Sequence, residues 1–278
     1  MNQNLRIAPP YPGLSEIIAV IGEAGSRLAE IGATEGAAGN ISVYLGWPID
    51  PRRKFPIAEE ISLPVALPEL AEGLFLVTGS GRRLREIAVD PEANIGAVVV
   101  NPGGATARLY TSHRRLFARL TSELNSHLAI HRQQILAQDL NFHAVIHAQP
   151  VHLTYLTHVP GYQDPVYLNR HLLRWQPELI INLPEGVALV PFHPPGSEPL
   201  MAATLAAMVT HRVVVWSKHG VMSRSERSVK RACDLVEYVD TGARYEYMNL
   251  ANGERATGLS EAEMRALCAA FNIKQSIW

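Results

Sequence analysis

Residues 74–104 read LFLVTGSGRRLREIAVDPEANIGAVVVNPGG, and this stretch decides the fold class. Residues 74–77 and 97–100 are short apolar runs with the length and composition of buried strands. Each run is followed by a glycine-rich turn, at residues 78–81 and 101–104. Two short strands, each closed by a turn, predict a sheet at the centre of the protein.

The chain before this stretch predicts a helix, a turn and another strand. Apolar residues recur at helical spacing over residues 15–30, with Ser15 as the expected N-cap and Gly32 as the expected end. The sequence GAAGN at residues 36–40 is too rich in glycine for a helix, and it leads into a strand expected at residues 41–45. This turn therefore feeds the same sheet.

Five prolines in residues 46–70 indicate a surface excursion, after which helices and strands alternate. The elements predicted there are a helix from about Ser122, strands at 144–147, 179–183 and 213–216, and a helix with Met201, Leu205 and Met208 on its inner face. Two C-terminal helices follow: the first has an apolar stripe of Ala232, Val236, Val239 and Ala243, and the second begins with a Ser260–Glu263 capping box. Since no repeat or long linker interrupts this order, we predict one α/β domain over residues 1–278.

The composition excludes several classes of protein. With 278 residues, 47% of them hydrophobic and 18% charged, the chain can bury a sizeable core, which argues against overall disorder. A formal charge of −1 lacks the broad positive field of a nucleic-acid binder. The two cysteines, Cys233 and Cys268, lie in predicted helices and indicate a reducing compartment without a disulfide framework. With no membrane-length apolar run and no signal-peptide pattern, we expect a cytoplasmic protein without a membrane partner.

Position sorts the eleven histidines better than their number does. His147 ends a predicted buried strand, and Gln149 points to the same face of that strand. His219 in the sequence WSKHG (216–220) follows a second buried strand, so it is the natural second ligand of a metal ion. His143 also points toward this face but lies roughly 13 Å along the strand, too far to share the ion easily. This spacing alone is weak evidence for a metal.

Other candidate residues suit an anion and a proton transfer. The turns at residues 36–40 and 78–81 let backbone N–H groups converge, and Thr121 and Ser122 at a helix start add donors, so together they suggest a phosphate. Glu123 is structural by default, because a helix dipole favours an acidic first turn, and only its neighbours would make it catalytic. His127 and His131, beside an apolar helical stripe, are interpreted as packed histidines. No P-loop or dinucleotide fingerprint is present in the sequence.

Several motifs together resemble the class II aldolase/adducin family over roughly residues 15–270. They are GAAGNISVYL (36–45), the block at 74–100, LTSEL (120–124), VIHAQPVHLTYLTHV (145–159) and WSKHG (216–220). The resemblance implies a single-domain, three-layer αβα fold with a mainly antiparallel central sheet, assembled as a homotetramer. It also implies a zinc-dependent lyase for a phosphorylated sugar, L-rhamnulose 1-phosphate, which would yield dihydroxyacetone phosphate and L-lactaldehyde.

The resemblance assigns roles by position, and one position departs from the family pattern. It implies catalytic Glu123, phosphate contacts from Asn40, Ser80, Gly81, Thr121 and Ser122, and metal ligands His147, Gln149 and His219. Gln149 replaces a histidine of the family, and an amide oxygen suits zinc less well than imidazole does. The site then either keeps a metal through Gln149 and Glu123 or has lost its metal chemistry. Arg174 stands where the family places an acidic residue contributed by a neighbouring subunit.

Two further functions fit the sequence. One is a non-catalytic, adducin-like assembly or a sugar-phosphate-binding protein with a degenerate metal site. The other is a pentulose-phosphate epimerase, since related enzymes use the same stabilisation of an enediolate by a metal. Gln149 is the feature that separates catalysis from binding alone.

Overall fold

The described part of the chain, residues 5–278 of a computed structural model, builds one nine-stranded sheet. The strands are β1 (Asn40–Leu45), β2 (Ile57–Ser62), β3 (Leu74–Thr78), β4 (Ile95–Val100), β5 (Thr106–Thr111), β6 (Phe142–Ala148), β7 (Ala188–Val190), β8 (Val213–Trp216) and β9 (Gly220–Ser225). Their order is β2-β5-β4-β3-β1-β6-β9-β8-β7, and only the β7–β8 pair is parallel. The prediction of a mainly antiparallel central sheet is confirmed.

Helices cover both faces of this sheet. They are α1 (Leu14–Glu30), α2 (Pro91–Asn94), α3 (Leu124–Gln138), α4 (Val151–Leu156), α5 (Pro165–Leu173), α6 (Pro177–Asn182), α7 (Glu198–Met208), α8 (Val229–Ala251) and α9 (Glu261–Ala270). Helices α1, α4, α5 and α8 share one apolar core with the sheet, and α3 and α7 pack on the opposite side. We call these two sides the α8 face and the α3 face.

Alternation along the central strands assigns each side chain to a face. In β6, Ala144 and Ile146 belong to the core of the α8 face, whereas Val145 belongs to that of the α3 face. Since side chains alternate along a strand, His143 and His147 also point to the α3 face. All residues of β6 and β1 are nevertheless buried, because both faces are covered.

The prediction of a strand at residues 179–183 is wrong, because residues 179–182 lie in α6 and Leu183 is the C-cap of this helix. Pro177 stands at the first helical position and Glu178 adds an acidic residue in the first turn, both features of a helix start. Leu179 and Ile180 are buried in an apolar cluster with Met264 of α9. Tertiary packing on one side thus overrides the strand preference of the adjacent isoleucines.

The proline-rich residues 46–70 contain an edge strand that the sequence did not reveal. β2 pairs with β5 along residues 57–62, and its side chains are almost all exposed. An exposed edge strand needs no apolar alternation, so periodicity misses it. Gly13, rather than Ser15, is the N-cap of α1, and its backbone N–H donates a hydrogen bond to the Glu16 carboxylate.

Among the remaining helix predictions, those for α8 and α9 are confirmed, and the inner face predicted for α7 is confirmed only at Met208. The whole predicted stripe of α8 is buried, and Ser260 and Glu263 form the capping box of α9. In α7, Leu200, Thr204 and Met208 are buried, whereas Met201 and Leu205 are only half-buried. Within residues 5–278, no helix is long and apolar enough to cross a membrane. One domain over residues 1–278 stays a prediction.

Candidate metal and phosphate site

The candidate site lies where the ends of neighbouring strands meet on the α3 face. Asn40 opens β1 and stands opposite His147 of β6 in the strand register. The other neighbour of β6 is β9, and the turn between β8 and β9 carries His219. Because Trp216 pairs with Gly220 across this turn, His219 is held close to the sheet. The ring centroids of His147 and His219 are 4.9 Å apart.

Glu123 brings a carboxylate between these two imidazoles. It occupies the N-cap position of α3 but makes no capping hydrogen bond with its side chain. Its Oε2 lies 3.7 Å from His147 Nε2, and its Oε1 lies 3.7 Å from His219 Nε2. The residue is only 4% exposed. The carboxylate is therefore directed into the site rather than used to end the helix.

The donor set of this cluster fits a divalent metal ion. One ligand atom each from Glu123, His147 and His219 lies within 4.8 Å of the others. His147 Nδ1–H donates to the Val221 carbonyl at 3.0 Å, which turns Nε2, the lone-pair nitrogen of the neutral ring, toward the carboxylate. Two imidazoles and a carboxylate are ordinary zinc ligands. We call these three residues the metal cluster.

Electrostatics prepares the cluster for an ion. Burial, with a smaller contribution from His147, lowers the pKa of His219 to about 4, so this imidazole is neutral near pH 7. Burial alone would raise the pKa of Glu123, but the neighbouring His147 and the Asn40 hydrogen bond hold it below its ordinary value. Neutral imidazoles and an ionised carboxylate are the forms that bind metals.

Gln149 lies next to the metal cluster. Its Cγ and His147 Cε1 are each 3.1 Å from the point where a side chain on Gly220 would begin, so those two carbons are within about 6 Å of one another. Its backbone N–H is fixed by the Ala33 carbonyl at 2.7 Å. Because Gly220 has no side chain, the side chains of Gln149 and His147 can both pack against this position.

Trp216 is a site residue that the sequence reasoning missed. Its ring centroid lies 4.9 Å from that of His147 and 5.1 Å from that of His219. Its indole N–H donates to Thr204 Oγ1 of α7 at 2.8 Å, which fixes the ring. A buried tryptophan thus holds both imidazoles from one side. Strand position alone predicts a core tryptophan, so no sequence signal distinguishes this role.

The two turns and the helix start that are expected to bind an anion converge beside the metal cluster. The Ile41 N–H donates to Thr78 Oγ1 at 3.1 Å, which ties the 36–40 turn to the 78–81 turn. The Ser80 N–H donates to the Arg119 carbonyl and the Thr121 N–H to the Thr78 carbonyl, at 2.8 and 3.1 Å. A side chain on Gly79 would collide with Phe117, so only glycine permits this approach.

The expected phosphate residues differ in what remains free. Among the described residues, the Ser80 side chain has no hydrogen-bond partner, and Gly81 has a left-handed φ of +72°. Thr121 and Ser122 line a cavity of about 500 Å³ together with Arg119, a cation that the sequence reasoning did not single out. Anions favour such a combination of hydroxyls and a guanidinium.

The structure places Asn40 beside the carboxylate, where two hydrogen bonds of its amide group are already made. Its Nδ2 donates to Glu123 Oε2 at 2.8 Å, and its Oδ1 accepts from His127 Nε2. One Nδ2 hydrogen remains for a phosphate. His127 and His131 are fully buried and hydrogen-bonded to Ser42, which confirms that they are packed histidines.

Arg174 has its partner within the same chain. Its Nη2 donates to Glu246 Oε2 at 2.8 Å, and the Trp175 indole donates to the same oxygen at 2.8 Å. Glu246 is 1% exposed and also accepts from the Tyr162 hydroxyl. The guanidinium neutralises a buried carboxylate between α5 and α8, which is a structural role.

A buried cluster of two imidazoles and a carboxylate, bordered by glycine-rich turns on a mainly antiparallel sheet, defines an α/β protein with a metal-type site. The model of the family described as Class II Aldolase and Adducin N-terminal domain matches residues 19–247. The chain therefore belongs to the class II aldolase and adducin family.

Similar proteins come from several bacteria. The rhamnulose-1-phosphate aldolase of Bacteroides thetaiotaomicron is 28% identical over 264 residues, which are 94% of this chain and 96% of that protein. The rhamnulose-1-phosphate aldolase of Enterobacter sp. (strain 638) is 30% identical over 213 residues, 77% of this chain and 76% of that protein. The solved sugar-phosphate aldolase from Thermotoga maritima superposes with a TM-score of 0.73 at 28% identity, covering 88% of this chain and 99% of that chain.

Proposed function

We propose that the chain is a metal-dependent aldolase that reversibly cleaves L-rhamnulose 1-phosphate into dihydroxyacetone phosphate and L-lactaldehyde. The observation that carries this proposal is the metal cluster, in which Glu123 lies 3.7 Å from both His147 and His219. The names of the relatives from Bacteroides thetaiotaomicron and Enterobacter support this choice of sugar. We also propose zinc as the ion and a cytoplasmic homotetramer as the working form.

His147 and His219 would hold the metal, with Gln149 as the proposed third protein ligand. When bound, a divalent cation acts as a Lewis acid for the negative charge that develops beside the sugar carbonyl. Glu123 is ionised and lies next to this position, so it suits a base. In condensation the ionised carboxylate takes a proton from C3 of dihydroxyacetone phosphate, C3 bonds to the aldehyde carbon, and the aldehyde oxygen gains a proton to become the C4 hydroxyl. In cleavage the C4 hydroxyl loses its proton, the C3–C4 bond breaks, and Glu123, now protonated, returns a proton to C3.

The turns beside the metal cluster would hold the phosphate. Ser80, Gly81, Thr121, Ser122 and Asn40 are the proposed contacts, and Asn40 also donates to the Glu123 carboxylate. A phosphate fixed at C1 orients the carbonyl and the adjacent C3 toward Glu123. Binding energy far from the reacting bond thus serves the reaction itself.

The test is a coupled assay for dihydroxyacetone phosphate released from L-rhamnulose 1-phosphate. Protein stripped with chelator is compared with the same protein reconstituted with Zn²⁺, Mn²⁺ or Co²⁺. The proposal predicts release only after reconstitution. Binding of the sugar phosphate without release under any ion would favour the sugar-phosphate-binding function, and conversion of a pentulose phosphate without release would favour the epimerase.

Replacing Ser80 with alanine tests the phosphate contact. We expect the KM for the phosphorylated ketose to rise about tenfold with kcat nearly unchanged, because a hydrogen bond to a charged group contributes roughly 1.5 kcal/mol or more. Steady-state kinetics measures this, with Ser276→Ala at an exposed C-terminal position as the control. An equal rise in KM for the unphosphorylated ketose would contradict a phosphate role.

A further inference from the structure

A buried chain of polar side chains runs from the metal cluster into the α3 face. Asn40 Nδ2 lies 2.8 Å from Glu123 Oε2, and Asn40 Oδ1 is hydrogen-bonded to His127 Nε2. Ser42 Oγ then lies 2.6 Å from His127 Nδ1 and 2.7 Å from His131 Nε2. These links join β1 to two successive turns of α3.

This series of hydrogen-bonded side chains ends at His143, which lies beyond His131 in the interior of the protein. His131 Nδ1 lies 2.9 Å from His143 Nδ1. His143 Nε2 is buried and has no hydrogen-bond partner among the described residues. We call Ser42, His127, His131 and His143 the histidine relay. All four residues are 0% exposed, so water does not complete their hydrogen bonds at the surface.

The three imidazoles of the histidine relay are neutral. Burial, together with His131, lowers the pKa of His127 to about 3. Burial also lowers the pKa values of His131 and His143 well below the ordinary value. A neutral imidazole has one N–H and one lone pair, so each ring donates from one nitrogen and accepts at the other.

The donor and the acceptor of each hydrogen bond between Glu123 and Ser42 can be assigned by starting from the carboxylate. An ionised carboxylate only accepts, so Asn40 must present its NH₂ group to Glu123. Its Oδ1 then accepts from His127, which places the proton of that ring on Nε2. His127 Nδ1 is consequently a lone pair and accepts from the Ser42 hydroxyl.

The same reasoning assigns the hydrogen bonds between Ser42 and His143. Since the Ser42 hydroxyl donates its hydrogen bond to His127, Ser42 Oγ accepts a hydrogen bond from His131. The proton of the His131 ring is therefore on Nε2. His131 Nδ1 accepts from His143 Nδ1–H. His143 Nε2 is then a lone pair, which agrees with its lack of a partner among the described residues. Each hydrogen bond in the series from His143 to Asn40 is therefore donated in the direction of Glu123.

We propose that the residues of the histidine relay are positioning residues that lock the Asn40 amide with its NH₂ group toward Glu123. A flipped amide would place Oδ1 against the carboxylate, and the relay prevents this because His127 offers its N–H to Oδ1. Oε2 is thereby fixed, and Oε1 is left toward His219. This inference rests on the proposed function of Glu123 as the base.

The first test measures the tautomers directly and needs neither metal nor activity. Protein with ¹⁵N-labelled histidine is studied by long-range ¹H–¹⁵N correlation NMR, and His127→Gln, His131→Gln and His143→Gln assign the signals. We expect Nε2–H for His127 and His131 and Nδ1–H for His143. A His127 ring protonated on Nδ1, or on both nitrogens at pH 7, would overturn the proposal.

The second test interrupts the histidine relay with Ser42→Ala. We expect kcat to fall about tenfold with KM changed less than about twofold, as found when a group that orients a reacting residue is lost. The His127 signals should also move toward a mixture of tautomers. The matched control is Ser223→Ala, which removes another fully buried strand hydroxyl, bonded to the Ala232 carbonyl.

A second variant keeps the test decisive if Ser42→Ala does not fold. His143→Phe removes the far end of the histidine relay and should shift the His131 and His127 signals with a smaller loss of kcat. Wild-type kcat in whichever variant folds would overturn the positioning role. Wild-type protein without any cleavage would instead refute the proposed function, and the tautomers would still decide whether the chain is directional.

Discussion

Glu123→Gln is expected to lower kcat for cleavage by about 10³-fold while the KM for the phosphorylated ketose changes little. Glutamine keeps the shape of the side chain but cannot take up the proton at C3. The carboxylate lies 3.7 Å from both imidazoles and is almost fully buried. No other carboxylate of the described residues belongs to the cluster, so none can replace it. Steady-state kinetics at saturating metal, with metal content measured alongside, isolates the proton transfer from metal loss.

The control for this variant is Glu185→Gln, which removes a carboxylate that pairs with Arg212 at 2.7 Å outside the metal cluster. It should keep wild-type kinetics. A Glu123→Gln protein that binds metal fully and retains more than about a tenth of the wild-type kcat would contradict a base at this position.

Gln149→His is expected to tighten metal binding by about 10- to 100-fold. Imidazole is a stronger zinc ligand than a neutral amide oxygen, and the space over Gly220 brings Gln149 close to His147. Competition titration with a zinc chelator measures the dissociation constant. If Gln149 is a weak ligand rather than the mark of a lost site, the variant also raises the activity at limiting metal.

Gln176→His is the matched control, because it adds a histidine at a half-buried glutamine that caps α6 on the α8 face. Its zinc affinity should equal that of the wild type. Unchanged affinity in Gln149→His as well would show that residue 149 does not contribute to the ion's coordination.

The central strands were predictable because burial on both faces leaves continuous apolar runs. The runs at residues 74–77 and 144–147 correspond to β3 and β6. The exposed β2 lacked this signal, and the isoleucines of α6 gave a false one, since packing against neighbouring helices decides their conformation. Local pattern therefore located the core of the sheet but not its edge.

The site divides in the same way. Strand ends place His147 and His219 near each other, and the alternation of side chains in β6 gives His147 its face. The contact between Asn40 and Glu123 joins residues 83 positions apart and depends on how α3 packs on the sheet. No local pattern contains that information, so sequence motifs suggested a phosphate contact for Asn40 but not its bond to the carboxylate.

The most direct measurement is elemental analysis of the chain purified without chelator, made in parallel on His147→Ala and His219→Ala. We expect about one divalent ion per wild-type chain and much less in either variant, because each loses one of two imidazole ligands. A wild-type protein that holds no ion even after incubation with zinc, or variants that hold as much as the wild type, would contradict this expectation.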